Sequence, residues 1–271
     1  MEQQQLTNFK QELKTKNYSE QSIKTYLYWI EIFLKFTNKP IKDIVKEDIT
    51  LFFNEKRKHN LNANSLPVIK SAFKLFFEKY LKIENLFDND IKIRTTRKKE
   101  IIIVLNEEEI NQLINSVTGE YKLRNQLAMQ LGFDGALRVS DARKLEYKNI
   151  KKNGNILIRG GKGKKDRITK WEQSKTWTLL QNYLSLYSPK KYLFEKKNGG
   201  LYHPDTFQRM IRTAGANSKI DRPSWGWHLL RHSGAVRWYK SKVPLEIIAE
   251  RMGHASLNTT ELYLSNILKG I

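Results

Sequence analysis

Residues 227–235 read WHLLRHSGA and residues 252–263 read MGHASLNTTELY. In the first stretch His228 and Arg231 are three residues apart, which puts them on one face of a helix. In the second, Gly253 and His254 fit a helix C-cap with the imidazole at the negative dipole end. His254 stands nine residues before Tyr263, across a turn and into a last helix. Upstream, residues 135–145 read GALRVSDARKL, with Arg138 just before a predicted helix start, and residues 161–167 read GKGKKDR, with Lys162 in a glycine-rich turn. Singly, each has an ordinary reading: a surface arginine, a solvated lysine, a helix-start histidine, a tyrosine buried beside Leu262 and Leu264.

Together they suit a phosphodiester. Two arginines can fork onto non-bridging oxygens through charge-assisted hydrogen bonds. They stabilise the extra negative charge of a pentavalent transition state without a metal. A tyrosine hydroxyl is a possible covalent nucleophile. Its ordinary pKa of about 10 demands a base or a cationic field near pH 7, and His228 is a candidate for that base. The 5′-oxygen leaves poorly unless it is protonated, and Lys162 is the candidate general acid. His254 completes the cage by donating to a phosphate oxygen.

Competing chemistries lack their residues. The chain has no cysteine, so a disulfide framework, a thiolate zinc site and a cysteine nucleophile are excluded. His228 and His232 stand at i and i+4, but HLLRH lacks the general-base glutamate of the zinc-hydrolase helix. GGKGKK runs into Asp166 instead of completing a P-loop, and no GxSxG elbow occurs. No metal and no cofactor are expected.

The rest of the chain supplies a frame. With 271 residues, two domains are expected. Forty-nine Lys+Arg against 28 Asp+Glu give a net charge of +21, so an anionic polymer is the first partner to consider. The N-terminus shows no apolar signal core and no run reaches the ~18–20 apolar residues of a membrane span, so a soluble, non-exported chain is expected. Residues 95–271 carry +16 of the charge, and the seam falls near IKIRTTRKKE, residues 91–100. The first part reads as four short helices. One covers Leu6 to Leu13. The next is capped by Ser19, bears Ile23, Tyr26, Leu27, Ile30, Phe33 and Leu34, and stops at Pro40. A third opens at Asp48, and a fourth runs from Leu66 with Ile69, Phe73, Phe76, Phe77 and Tyr80. These aromatics read as core. The second part reads as helices from Asn106, over Leu123–Phe133, from a Ser140 cap through Leu145, and over Ser174–Tyr187, Pro204–Ala214, His228–Lys240, Leu245–Met252 and Thr259–Ile267. NILIRG and DRITKW flank the GKGKK turn as a β-hairpin.

The order Arg138, Lys162, His228 with Arg231, His254, Tyr263 resembles the tyrosine recombinase (integrase) family over about residues 104–264. LRHSGA and MGHASLNTTELY match its two C-terminal signatures, and Asp141 matches the acidic residue that supports the first arginine. The resemblance implies a mainly α fold with a small β-hairpin in the second domain, closed as a two-domain clamp on DNA. Residues 1–90 would be a helical, SAM-like core-binding domain, 91–103 a basic linker, and 104–271 the catalytic domain. It implies strand exchange through a 3′-phosphotyrosine and a Holliday junction, with double-stranded DNA carrying paired half-sites, a homotetramer on two sites, and possible accessory proteins. Lys98, Lys99, Lys164 and Lys165 are candidate phosphate contacts. A cytoplasmic, nucleoid-associated location follows. The layout looks most like a Xer-type recombinase, whose family role is resolving chromosome dimers, and simple viral or plasmid integrases share it. A type IB topoisomerase would use the same chemistry to relax DNA, and a non-catalytic DNA-binding protein would keep the basic surface alone. Only a short tail follows Tyr263; its apolar Ile267 and Leu268 are expected either to dock on a neighbouring subunit or to stay on their own.

Overall fold

The computed structural model describes residues 2–59, 61, 65–83, 86, 104–160, 166–171 and 174–268. The chain divides into two compact units, Met1–Lys99 and Glu100–Ile271. The architecture is mainly α with one two-stranded antiparallel sheet among the described residues.

The first unit holds α1 (Glu2–Thr15), α2 (Glu20–Thr37), α3 (Lys46–Lys58) and α4 (Ser65–Phe73), the last continued by a π-helical stretch, Lys74–Tyr80. Ser19 starts α2 as expected: its backbone is extended and its Oγ accepts from Ser22 N at 3.0 Å. Asn38 ends α2 in the left-handed region. Helix α3 opens at Lys46, two residues ahead of the expected Asp48. Asp48 sits in the first turn and folds back, Oδ2 accepting from Val45 N at 3.0 Å, while Oδ1 accepts from Lys39 Nζ at 2.7 Å. A carboxylate at the third helical position satisfies the cap backbone, so the helix begins upstream of it. The core is aromatic: Phe9, Phe33, Phe52, Phe73, Phe76 and Phe77 are all buried, with the Phe33 and Phe73 ring centroids 4.6 Å apart. Packing, not ligand binding, accounts for the aromatic stripes.

The second unit contains α5 (Glu107–Asn115), α6 (Lys122–Asp134), α7 (Val139–Lys144), β1 (Asn155–Ile158), β2 (Arg167–Lys170), α8 (Ser174–Tyr187), α9 (Pro204–Asn217), α10 (Trp227–Lys240), α11 (Leu245–Met252) and α12 (Leu257–Leu268). Asn106 and Glu109 form a reciprocal capping box on α5, at 2.9 and 2.8 Å. Helices α6 and α10 make the centre. Every residue of α6 from Leu127 to Asp134 is buried. Gly234 lets the two helices touch: a Cβ there would stand 2.0 Å from the Phe133 carbonyl oxygen.

The expected Ser140 cap is corrected. Helix α7 starts at Val139, and Arg138 occupies the N-cap in extended conformation. Asp141, third in the helix, accepts the Arg138 backbone N–H at 3.3 Å. Ser140 lies inside the first turn and hydrogen-bonds Asp141 Oδ1 instead, at 3.3 Å. The hairpin pairs Asn155 with Lys170 and Ile158 with Arg167. That register turns Ile156, Ile158, Arg167 and Thr169 inward.

A smaller core of Ala136, Ala235, Val236, Trp238, Ile248, Met252, Leu264 and Ile267 fixes α11 and α12. Ile267 is fully buried there, in its own chain. Of the two expectations for Ile267, the structure shows the second: it packs on its own chain, in a cluster shared with α10 and α11.

Candidate active site

Helix α11 ends at Gly253 in the left-handed region, φ +64, with Gly253 N donating to Glu250 O and His254 N to Ala249 O. This paired C-cap delivers His254 to the surface that Arg138 and Arg231 face. A side chain at 253 would also strike Arg167, whose Cδ lies 2.8 Å from the would-be Cβ.

Arg231 is the buried centre, 3% exposed. Its Nη1 donates to Ala136 O at 2.5 Å and its Nη2 to Met252 O at 2.9 Å. Ala136 reaches it from a left-handed backbone, φ 44, a conformation that costs a side-chain-bearing residue about 1–2 kcal/mol. Nη2 also stands 3.4 Å from His254 Nε2. His254 Nδ1 lies 2.8 Å from Thr260 Oγ1. Arg138, only partly covered, donates from Nη2 to Gly253 O at 3.3 Å; its Nη1 is buried and has no partner among the described residues.

Tyr263 projects from the first turns of α12 into this group. Its ring stacks on His232 (centroids 5.0 Å, 28°) and meets His254 edge-on (5.4 Å, 68°). The hydroxyl is buried without a well-formed hydrogen bond among the described residues. Burial pushes its pKa up, the Arg231 and Arg138 guanidiniums pull it back, and it settles at about 12. Arg231, brought down to about 10 chiefly by burial and then by Arg138, stays charged at neutral pH. His228, exposed by surface area yet partly desolvated on its inner side, is held below the ordinary histidine value by that desolvation and by Arg231 and Arg138. His232 is lowered to about 4 by burial, His228 and Arg231, so it is neutral.

Arg138, His228, Arg231, His254 and Tyr263 thus come together, on α7, α10, the α11–α12 turn and α12. Asp141 is buried beneath Arg138, where Arg167 Nη2 donates to its Oδ2 at 2.6 Å. Lys162, Lys164 and Lys165, and the linker residues Lys98 and Lys99, lie outside the described residues. Gly160 N donates to Asp166 Oδ1 at 2.8 Å, so the base of the Lys162 turn is tied. Three residues join the site beyond the motif candidates: Arg167, His232, which the sequence offers only as half of a metal pair, and Thr260. Arg167 was in view as the last letter of GKGKKDR, but only the strand register shows that it turns inward. Among the described residues no group of three or more His, Cys, Asp or Glu side chains could hold a metal ion.

Residues 103–267 match the phage integrase family, and residues 6–85 match the phage integrase N-terminal SAM-like domain. The tyrosine recombinase XerA of Pyrococcus furiosus is 30% identical over 264 residues, covering 95% of this chain and 88% of its own. In fold, the chain resembles XerH site-specific recombinase bound to palindromic difH substrate, with TM-score 0.74, 23% identity, and coverage of 93% of this chain and 78% of that one. It also resembles a lambda integrase tetramer bound to a Holliday junction, with TM-score 0.74, 17% identity, and coverage of 96% and 76%.

Proposed function

Since the chain belongs to the phage integrase family and is a tyrosine site-specific DNA recombinase, we propose that Tyr263 is its nucleophile, within a cage of Arg138, Arg231 and His254. The phenol oxygen attacks the scissile phosphorus. A P–O bond to tyrosine forms, the P–O5′ bond breaks, and a 3′-phosphotyrosine and a free 5′-hydroxyl result. The reverse step, with a partner strand's 5′-hydroxyl attacking, completes exchange. Bond energy is kept in the covalent link, so the reaction needs no nucleotide cofactor. The observation that carries this reading is a pair of buried groups, Tyr263 Oη and Arg138 Nη1, neither with a well-formed hydrogen bond among the described residues, gathered with a buried guanidinium and an imidazole. Such a set suits the non-bridging oxygens of a phosphodiester.

Proton transfers follow from the pKa directions. At pH 7 a phenol with pKa about 12 is ionised about once in 10⁵ molecules. A proton acceptor is needed, and His228, lowered and hence neutral, is in the required form. Protonation of His228 removes the acceptor, so single-turnover cleavage should slow as pH falls below His228's depressed value and stay level above it. His228→Gln should flatten that limb between pH 5 and 8; an unchanged limb assigns the proton elsewhere.

Lys162 is proposed as the acid for the 5′-oxygen. Lys162→Ala should cleave ordinary DNA slowly and recover on a substrate with sulfur at the 5′-bridging position, whose thiolate leaves without a proton. Failure of sulfur rescue transfers the role, with Lys164 next in the same turn.

Residues 1–90 are proposed as the core-binding domain and 91–103 as a basic linker, with Lys98, Lys99, Lys164 and Lys165 on DNA phosphates. Four subunits on two paired-half-site duplexes, in the cytoplasm at the nucleoid, suit two sequential exchanges through a four-way junction. The lambda integrase tetramer on a Holliday junction is the fold-level precedent. Within this frame a Xer-like task, resolution of chromosome dimers, is favoured by similarity to XerA along nearly the whole chain, with mobile-element integration second. Topoisomerase-like relaxation is not favoured, because the curated relatives are recombinases. Sequencing genomic fragments covalently trapped on the protein, then joining two plasmids that carry the recovered site, tests the function. Relaxation without a site requirement would overturn it.

A further inference from the structure

Thr260 lies one turn before Tyr263 on α12 and is fully buried. Its hydroxyl meets His254 Nδ1 at 2.8 Å. On the other side of the ring, Nε2 faces Arg231 Nη2 at 3.4 Å. A guanidinium only donates, so where Arg231 donates to Nε2 the proton of a neutral ring sits on Nδ1 and is donated to Thr260 Oγ1. Donation from Nε2 to a phosphate oxygen needs the other tautomer, whose Nδ1 is an acceptor. Threonine serves both, since a hydroxyl can accept from Nδ1–H and can rotate to donate to a bare Nδ1. A carboxylate there would lock the first state, and an aliphatic side chain would satisfy neither.

We propose that Thr260 is a positioning residue for the recombination reaction: its buried hydroxyl holds His254 and lets the imidazole exchange tautomers when a phosphodiester enters. Because Thr260 and Tyr263 share a helix face, the same bond ties the nucleophile's helix to the phosphate cage. This rests on the reading of His254 as a phosphate donor.

The test uses the full chain on a suicide substrate whose nick traps the covalent adduct. Thr260→Val keeps the methyl packing and removes the hydroxyl. It should lower single-turnover cleavage about 10–100-fold, by analogy with the loss of an outer hydrogen bond that orients a metal-ligating histidine, with DNA affinity unchanged. Thr260→Ser should restore the rate. In a His254→Ala background, Thr260→Val should add nothing, because its effect runs through the imidazole. The ring nitrogen resonances of His254 should shift from the Nδ1–H to the Nε2–H pattern on binding DNA in wild type. Wild-type rates in Thr260→Val, or a full additional loss in the His254→Ala background, overturn the proposal. Wild-type cleavage by His254→Ala alone would instead overturn the phosphate-donor reading beneath it. Should Thr260→Val unfold, the Thr260→Ser rate and the His254 resonances decide.

Discussion

Tyr263→Phe is expected to bind its DNA site with near wild-type affinity and to form no covalent adduct at all. The substitution removes one oxygen and leaves the ring between His232 and His254, so the stacked and edge-on contacts persist. The lost hydroxyl has no well-formed hydrogen bond to forfeit. Removing a buried polar group in that state should leave folding stability unchanged or slightly raised, because its desolvation cost of about 1–3 kcal/mol disappears with it. Chemistry has no such tolerance, since no other oxygen nucleophile occupies that position. Mass spectrometry of adducts trapped on a suicide substrate reads the result. A DNA-linked peptide containing a tyrosine other than Tyr263 would end the assignment.

The two arginines should separate in a second experiment. Each loss should slow cleavage roughly 10²–10³-fold, the effect of deleting one preorganised donor worth about 3–4 kcal/mol at a developing negative charge. The structure then divides them by burial. Arg138 is only partly covered and makes one long bond, to Gly253 O at 3.3 Å. Arg138→Ala should therefore melt close to wild type. Arg231 is 3% exposed and supports the carbonyls of Ala136 and Met252. Arg231→Ala orphans two buried acceptors and opens a cavity where α10 meets α11, so it should lose about 2–5 kcal/mol of stability beyond the rate. Single-turnover rates and thermal melts on both variants decide this. A stable Arg231→Ala with a wild-type melt would contradict the buried-hub reading. Arg138→Lys, which keeps charge but not the two-pronged fork, should recover only part of the rate.

The protonation of Tyr263 also bears on the proposed attack. With a pKa of about 12 the hydroxyl stays protonated in the free enzyme, and two guanidiniums beside it are not enough to ionise it. Burial dominates. As the proposed nucleophile, Tyr263 would then be inert until a substrate and a proton acceptor are both in place.

The letters alone carried the proposal for the chemistry. Arg138, Lys162, His228, Arg231, His254 and Tyr263 are legible as candidates because the proposed phosphoryl transfer calls for those side-chain types, and because HxxR and the Gly253 cap follow from helix geometry. The letters also determined most helix limits, since Ser19, Asn106 and Gly253 act on backbone groups within a few residues of themselves. The supporting contacts came from the fold. Ser140 looked like a cap, but Asp141 satisfies the Arg138 backbone, and that carboxylate is then shared with Arg167 from the hairpin, 26 positions away. His232 sits in the same motif as Arg231, yet its role as a platform for Tyr263 depends on how α12 crosses α10. Ile267 is an apolar residue near a polar end, and its burial in its own chain rests on a cluster with Ala136, Ala235 and Ile248, which come from distant segments. Local hydrogen bonds and helical phase are short-ranged and so are written in neighbouring letters, whereas burial sums over elements that only the fold brings together.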